Sequence, residues 1–321
     1  MRNTAIRTLE AMAKKNKGIY LITGDLGFSV VEGFQKSFPQ RFINAGIAEQ
    51  NMIGVAAGLA LSGKKPFVYS IVPFVTMRCF EQIRNDVCYQ NVDVKLIGVG
   101  AGFSYGTLGS THHAIEDISI MRSLPNMTVV CPGDPKEAEA VIRESVKHRG
   151  PLYIRLGKGG EVSVHKSESL KNFKFGKGIV LKKEGEITII STGSMLAMAC
   201  KVSENLGRKG IRSGLISMHT IKPIDSALLI DFAKKTKMFV TIEEHNIIGG
   251  LGSAVSDVIC ENDLNTRLLK CGIPDAYPKK IGTADYMRRQ VGLDAETITT
   301  KVMNFIGRKP RTATKEIQVI R

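Results

Sequence analysis

The sequence predicts an α/β protein made of two parallel-sheet, three-layer domains in tandem. Three observations carry that expectation. Short β-branched runs alternate with amphipathic helical stretches from the start of the chain to about residue 306. The alternation lapses once, near residues 160–185, where Lys, Ser and Gly dominate. A length of 321 residues with 43% hydrophobic and 23% charged content suffices for two ordinary globular cores.

In chain order, Ile6, Leu9, Met12 and Ala13 recur at helical spacing and predict a first helix within residues 1–18. That stretch lacks the apolar core and cleavage site of a signal peptide, and no apolar run reaches the length of a membrane span, so a cytoplasmic protein is expected. Gly18–Thr23 reads as a buried strand. The apolar pair Phe42-Ile43 leads into a turn at Asn44-Ala45-Gly46, and an Ala- and Gly-rich helix follows to Leu61. Pro66–Ser70, Val92–Val99, Met127–Cys131 and Leu152–Arg155 read as further strands, with helices through Glu81–Val87 and about Pro135–His148. Residues 1–160 make the first domain and 161–185 the connection. The second domain, 186–308, carries strands at Glu186–Ile190, Ile211–Ser217, Met238–Ile242 and Arg267–Cys271. Its helices are Ser194–Leu206, Asp225–Lys234, Gly250–Cys260 and Asp294–Ile306, the last with Asp294 as its N-cap. Residues 309–321 carry no pattern and are expected to be a mobile tail.

The net charge of +15 raises nucleic-acid binding as a function. The excess is dispersed, however. Its densest stretch, Lys166–Lys183, falls in the connection, and no Trp or nucleic-acid motif accompanies it. A basic surface suits a partner subunit or an anionic substrate instead. The six cysteines are scattered without a CxxC pair and read as buried reduced thiols, neither disulfides nor a zinc site.

Four places carry candidate chemistry. Glu49 puts a carboxylate in the first turn of an otherwise apolar helix; it either caps the helix or meets a ligand nitrogen, and spacing leaves both open. Asp25, in Gly24-Asp-Leu-Gly-Phe-Ser29, follows the first strand, at the carboxyl end where ligands sit in parallel sheets. Gly98-Val-Gly-Ala-Gly102 does not complete a dinucleotide fingerprint and runs into a polar loop, Phe103–Ala114. His112 and His113 in that loop are adjacent, so their side chains diverge, and no third metal ligand accompanies them.

Gly46-Ile-Ala-Glu-Gln-Asn51 resembles the pyrimidine-binding segment of thiamine-diphosphate enzymes of the transketolase type, and the resemblance extends along nearly the whole chain. It implies a transketolase pyrimidine-binding domain followed by a transketolase C-terminal domain, the latter also matched at Ile221–Asp225 and Glu243–Ala254. By this resemblance Glu49 hydrogen-bonds the cofactor's aminopyrimidine ring, Phe74 stacks against that ring, and Asp25 lies beside the thiazolium. Arg2, Ser29 and Lys158 align with substrate-phosphate positions, and His112 with a substrate hydrogen bond or proton relay. His245 reads instead as a core histidine.

Gly100 stands where transketolases usually carry His, Leu108 where they carry an acid, and Lys158 where they carry Arg. The cofactor side thus matches more fully than the sugar side. The Gly-Asp-Gly marker and the following Asn, which bind the diphosphate and Mg²⁺, have no counterpart here. The resemblance therefore implies the small subunit of a split transketolase, in an α2β2 heterotetramer whose diphosphate-binding chain holds Mg²⁺. It would transfer a two-carbon ketol unit from a ketose, as a sugar or sugar phosphate, to an aldehyde. The alternatives are a 2-oxo acid dehydrogenase β subunit, a deoxyxylulose-phosphate-synthase-like enzyme acting on pyruvate, and a non-catalytic subunit keeping the fold.

Overall fold

In the first helix, Arg2–Lys15, the side chains of Ala5, Ile6, Leu9 and Ala13 are buried on one face, and Lys14 and Lys15 stand in the last turn, where the macrodipole favours cations. The computed structural model describes residues 1–166, 170–183 and 185–307; the tail at 309–321 lies outside them. The strands that follow are β1 Ile19–Thr23, β2 Phe42–Asn44, β3 Lys65–Ile71, β4 Lys95–Val99, β5 Thr128–Val130 and β6 Leu152–Leu156. In the second half come β7 Ile179–Lys182, β8 Ile187–Ser191, β9 Ser213–Ser217, β10 Thr220–Lys222, β11 Met238–Asn246 and β12 Arg267–Ile273.

Two sheets result, ordered β10-β5-β6-β4-β3-β1-β2 and β12-β11-β8-β9-β7. Every residue of β4, β6, β8 and β9 is buried, as expected where helices cover both faces of a parallel sheet. The described helices are all too short or too polar to cross a membrane.

Both sheets depart from purely parallel order at one edge. β10, from the second half of the chain, pairs antiparallel with β5 and so joins the first sheet. β7 lies within the 161–185 connection and pairs antiparallel with β9. Its apolar run Ile179-Val180-Leu181 closes against β9, and Gly185 permits that approach: a Cβ there would collide with the backbone of Ser213 and Gly214.

Buried polar groups tie the halves together. Arg155 on β6 donates to Asp117 at 2.7 and 3.2 Å, to the Ala114 carbonyl at 2.7 Å and to the Glu244 carbonyl of β11 at 3.0 Å. Glu137 Oε1 lies 2.6 Å from both His165 Nε2 of the connection and Ser217 Oγ of β9. Four of the six cysteines are buried and all six are free.

Candidate active site

The carboxyl ends of β1 and β3 meet the start of the helix Glu49–Leu61, and this junction gathers Asp25, Glu49 and Phe74. Gly24 ends β1 against Glu49: a Cβ at Gly24 would lie 3.4 Å from Glu49 Cγ, so a larger residue would press on the carboxylate. Asp25 follows with φ 55°, in the left-handed region, and its amide donates to Asn44 Oδ1 at 2.9 Å. Asn44 Nδ2 donates in return to Asp25 Oδ1 at 3.0 Å, and the Gly46 amide donates to Asn44 Oδ1 at 3.0 Å. One asparagine thereby fixes the loops that carry Asp25 and Glu49.

Glu49 is 2% exposed. Its Oε2 accepts from Arg78 Nη1 at 2.7 Å, and the Arg78 guanidinium lies 4.4 Å from the centroid of the Phe74 ring. Phe74 belongs to the short helix Val72–Thr76 that follows β3. Its carbonyl accepts from Cys79 Sγ at 3.2 Å; burial pushes that thiol up to about 12, so it remains a donor. His112 presents an edge to Phe74, with ring centroids 5.2 Å apart at 68°. Glu49, Arg78, Phe74 and His112 therefore form a continuous series of contacts.

The two histidines of the polar loop differ in burial and contacts. His113 is 3% exposed, packs edge-on against Phe103 and has Nε2 3.2 Å from the Gly106 carbonyl. His112 is partly exposed, with Nδ1 3.0 Å from Thr111 Oγ1. Burial, then the neighbouring His113, holds the His112 pKa below its ordinary value and favours the neutral ring. The loop is anchored at the Gly102–Ala114 bridge, and Phe103 N donates to Glu244 Oε1 at 3.3 Å.

Tyr105 continues the wall. Its ring lies 6.2 Å from His112, and Lys158 Nζ stands 5.0 Å from its centroid. The same ring fills the space above Gly100, which has φ 95° and where any Cβ would overlap it. Arg2 lies beside Tyr69 of β3, whose hydroxyl burial pushes up in pKa, and the buried Nε of Arg2 has no hydrogen-bond partner among the described residues. Lys158 also borders a cleft of about 600 Å³ between the domains, lined by Ser104, Ser194, Lys201 and Arg288 among others. Ser29 is exposed, its amide donating to Glu32 Oε1 at 2.6 Å; no contact among the described residues joins it to the other candidates.

Arg78 is the residue that sequence reasoning missed. The signal was available: a buried carboxylate requires a partner, and Arg78 is a basic residue four positions beyond Phe74. His245 is a core residue, its Nε2 accepting from Ser119 N at 3.3 Å and its Nδ1 2.8 Å from the Asn246 carbonyl.

Comparison with known proteins gives matches to both halves. The family "Transketolase, pyrimidine binding domain" matches residues 1–160, and "Transketolase, C-terminal domain" matches residues 176–298. A putative transketolase C-terminal section of Methanocaldococcus jannaschii is 41% identical, covering 94% of this chain and 95% of that protein. One of the subunits of the apulose-4-phosphate transketolase of Actinobacillus succinogenes is 39% identical over 85% of this chain and 87% of its own length. Among solved structures, a split gene transketolase described as an inactive beta4 tetramer superposes with a TM-score of 0.85 at 37% identity, covering 94% of this chain and 96% of that one.

Proposed function

The chain belongs to the transketolase family as its pyrimidine-binding and C-terminal portion, and from that premise we propose that it is the small subunit of a two-chain, thiamine-diphosphate-dependent ketol transferase. One observation carries this reading: a nearly fully buried carboxylate, Glu49, and the aromatic ring of Phe74 converge on the same flat group. In the chain by itself that group is the Arg78 guanidinium. A carboxylate and a ring face that hold one flat hydrogen-bonding group fit another, the aminopyrimidine.

When bound, thiamine diphosphate supplies the electron sink that lets the bond beside a ketose carbonyl break. The chain's own residues do the rest. Glu49 shares a proton with a ring nitrogen in a site where exclusion of water strengthens that bond. Phe74 supports the ring face, with offset stacking adding about 1 kcal/mol beyond buried area. Asp25, held by Asn44, stands where the first sheet's strands end. His112, with Nδ1 engaged by Thr111, keeps Nε2 for a sugar hydroxyl. Arg2 and Lys158 are the cations for a substrate phosphate, and Ser29 a further donor.

A second chain supplies the diphosphate and Mg²⁺ ligands, in an α2β2 assembly in the cytoplasm. Exposed apolar side chains on the site's own loops support a covering partner: Phe28 is 76% exposed, Ile47 80% and Leu108 53%. The test is reconstitution with the diphosphate-binding chain, followed by titration with thiamine diphosphate and Mg²⁺ and product analysis with ketose donors. The assembly is expected to bind the cofactor and transfer two carbons, and Glu49→Gln to lower turnover by about 10²-fold or more. Tight cofactor binding by this chain alone, or full activity of Glu49→Gln, would sink the reading.

A further inference from the structure

We propose that Arg78 is a placeholder for the cofactor ring: in the subunit without cofactor its guanidinium occupies the slot between Glu49 and Phe74, and it must swing out for the aminopyrimidine to enter. The proposal rests on the ketol-transferase reading above and adds a gate to that site.

The argument is one of chemical likeness. A guanidinium is planar and delocalised, presents N–H donors in its plane, and stacks on aromatic faces. An aminopyrimidine is likewise planar, stacks on aromatic faces and carries N–H donors on its exocyclic amine, but its ring nitrogen accepts, so Glu49 receives a bond from Arg78 and offers a proton to the ring. Arg78 makes both contacts at once, donating to Glu49 Oε2 at 2.7 Å while lying 4.4 Å from the Phe74 centroid. One flat group can lie against that ring face while bonded to Glu49, so the two occupants exclude each other.

The surroundings make Arg78 the mobile member. Its side chain is 44% exposed, against 2% for Glu49. It sits in the turn at residues 77–79, between the short helices Val72–Thr76 and Phe80–Gln82, and is itself exposed. Glu49, by contrast, is fixed at the start of a 13-residue helix. Without a partner its buried carboxylate would be costly; Arg78 satisfies it until the ring arrives. Exchange is open to the pair because the Arg78 side chain is 44% exposed and the incoming ring takes over its place at Glu49. Cofactor affinity is then lowered by the fraction of molecules in which Arg78 holds the slot.

The test uses the assembled two-chain enzyme and thiamine diphosphate with Mg²⁺, with binding read by titration calorimetry and stopped-flow. Arg78→Ala is expected to bind the cofactor roughly three- to tenfold tighter than wild type, with faster association. Arg78→Lys keeps the charge but loses the flat stacking group, and is expected to fall between the two. A residue that merely supported the fold would weaken binding when removed, so the direction is diagnostic. Unchanged or weaker binding in Arg78→Ala, or in Arg78→Lys should the alanine variant fail to fold, would overturn the placeholder. Failure of the wild-type assembly to bind thiamine diphosphate would instead overturn the ketol-transferase reading.

Discussion

Arg155 Nε lies 2.7 Å from Asp117 Oδ2, and both side chains are almost wholly buried, at 1% and 0% exposure. The pair joins β6 to the helix Asp117–Ser123, and Arg155 also reaches the Ala114 carbonyl behind His112 and the Glu244 carbonyl of the second domain. One guanidinium therefore braces the polar loop and the contact between the domains. Tyr153 Oη donates to the same Asp117 Oδ2 at 2.7 Å, which leaves that carboxylate without idle capacity on this side.

Arg155→Met is accordingly expected to destabilise the chain by about 3–5 kcal/mol, because it strands a buried carboxylate rather than removing a pair. Arg155→Met combined with Asp117→Asn should recover part of that loss. Urea denaturation of both single variants and the double variant measures this; a double loss equal to the sum of the two single losses would show that the pair is not coupled.

His245 sets an acid limit on stability. Its Nε2 accepts the Ser119 amide, a role that the protonated ring gives up, and burial pushes its pKa down to about 4 from 6.5. A histidine whose folded pKa is depressed contributes stability above the unfolded value, and that stability is lost as pH falls from about 6.5 towards 4. Across that window wild type should lose up to about 1.4 kcal/mol per pH unit more than His245→Gln, which can keep both hydrogen bonds uncharged. Glu243 works in the opposite direction: burial raises its pKa to about 7, so its preference for the protonated form is lost as pH rises through that value. Parallel pH–stability curves for wild type and His245→Gln below pH 6.5 would contradict the assignment.

Most of the fold was legible because parallel strands buried on both faces are continuous apolar runs. Gly18–Thr23 and Met238–Ile242 announced β1 and β11 in that way. β10 was not legible: three residues beside Pro223 pair antiparallel with a strand ninety residues away, and nothing local encodes that partner. β7 was hidden by the lysines around it. Among the candidate residues, Glu49 and Phe74 lie on motifs that local sequence makes visible. Arg78 meets Glu49 across 29 residues, and only the folded chain brings the two together. Likewise, the resemblance singles out His112, but the Gly106 carbonyl that holds His113 inward is seen only in the fold.

The two histidines should therefore fail differently. His112→Ala removes a ring that edges Phe74 and touches the site, and is expected to lower ketol transfer by about 10²-fold while changing stability by no more than about 0.5 kcal/mol. His113→Ala takes a buried ring from Phe103 and is expected to cost about 2 kcal/mol of stability. Steady-state kinetics and melting curves of the two variants, side by side, would show the split; a loss confined to stability for His112→Ala would remove it from the site.

Gly100 and Tyr105 meet so closely that no side chain fits at position 100 while the ring stays where it is. Gly100 has φ 95°, a conformation that non-glycine residues adopt at a cost of about 1–3 kcal/mol. A Cβ there would also run into the Tyr105 ring, which packs between His112 and Lys158. Gly100→Ala should therefore incur the backbone strain and also displace Tyr105, disturbing the wall that faces the substrate. Adding Tyr105→Ala removes the collision but leaves the strain. The double variant is then expected to be less destabilised than the sum of the two single changes, by about 1 kcal/mol. Strict additivity in denaturant unfolding would mean that the ring has room to move aside, and that Gly100 answers to the backbone alone.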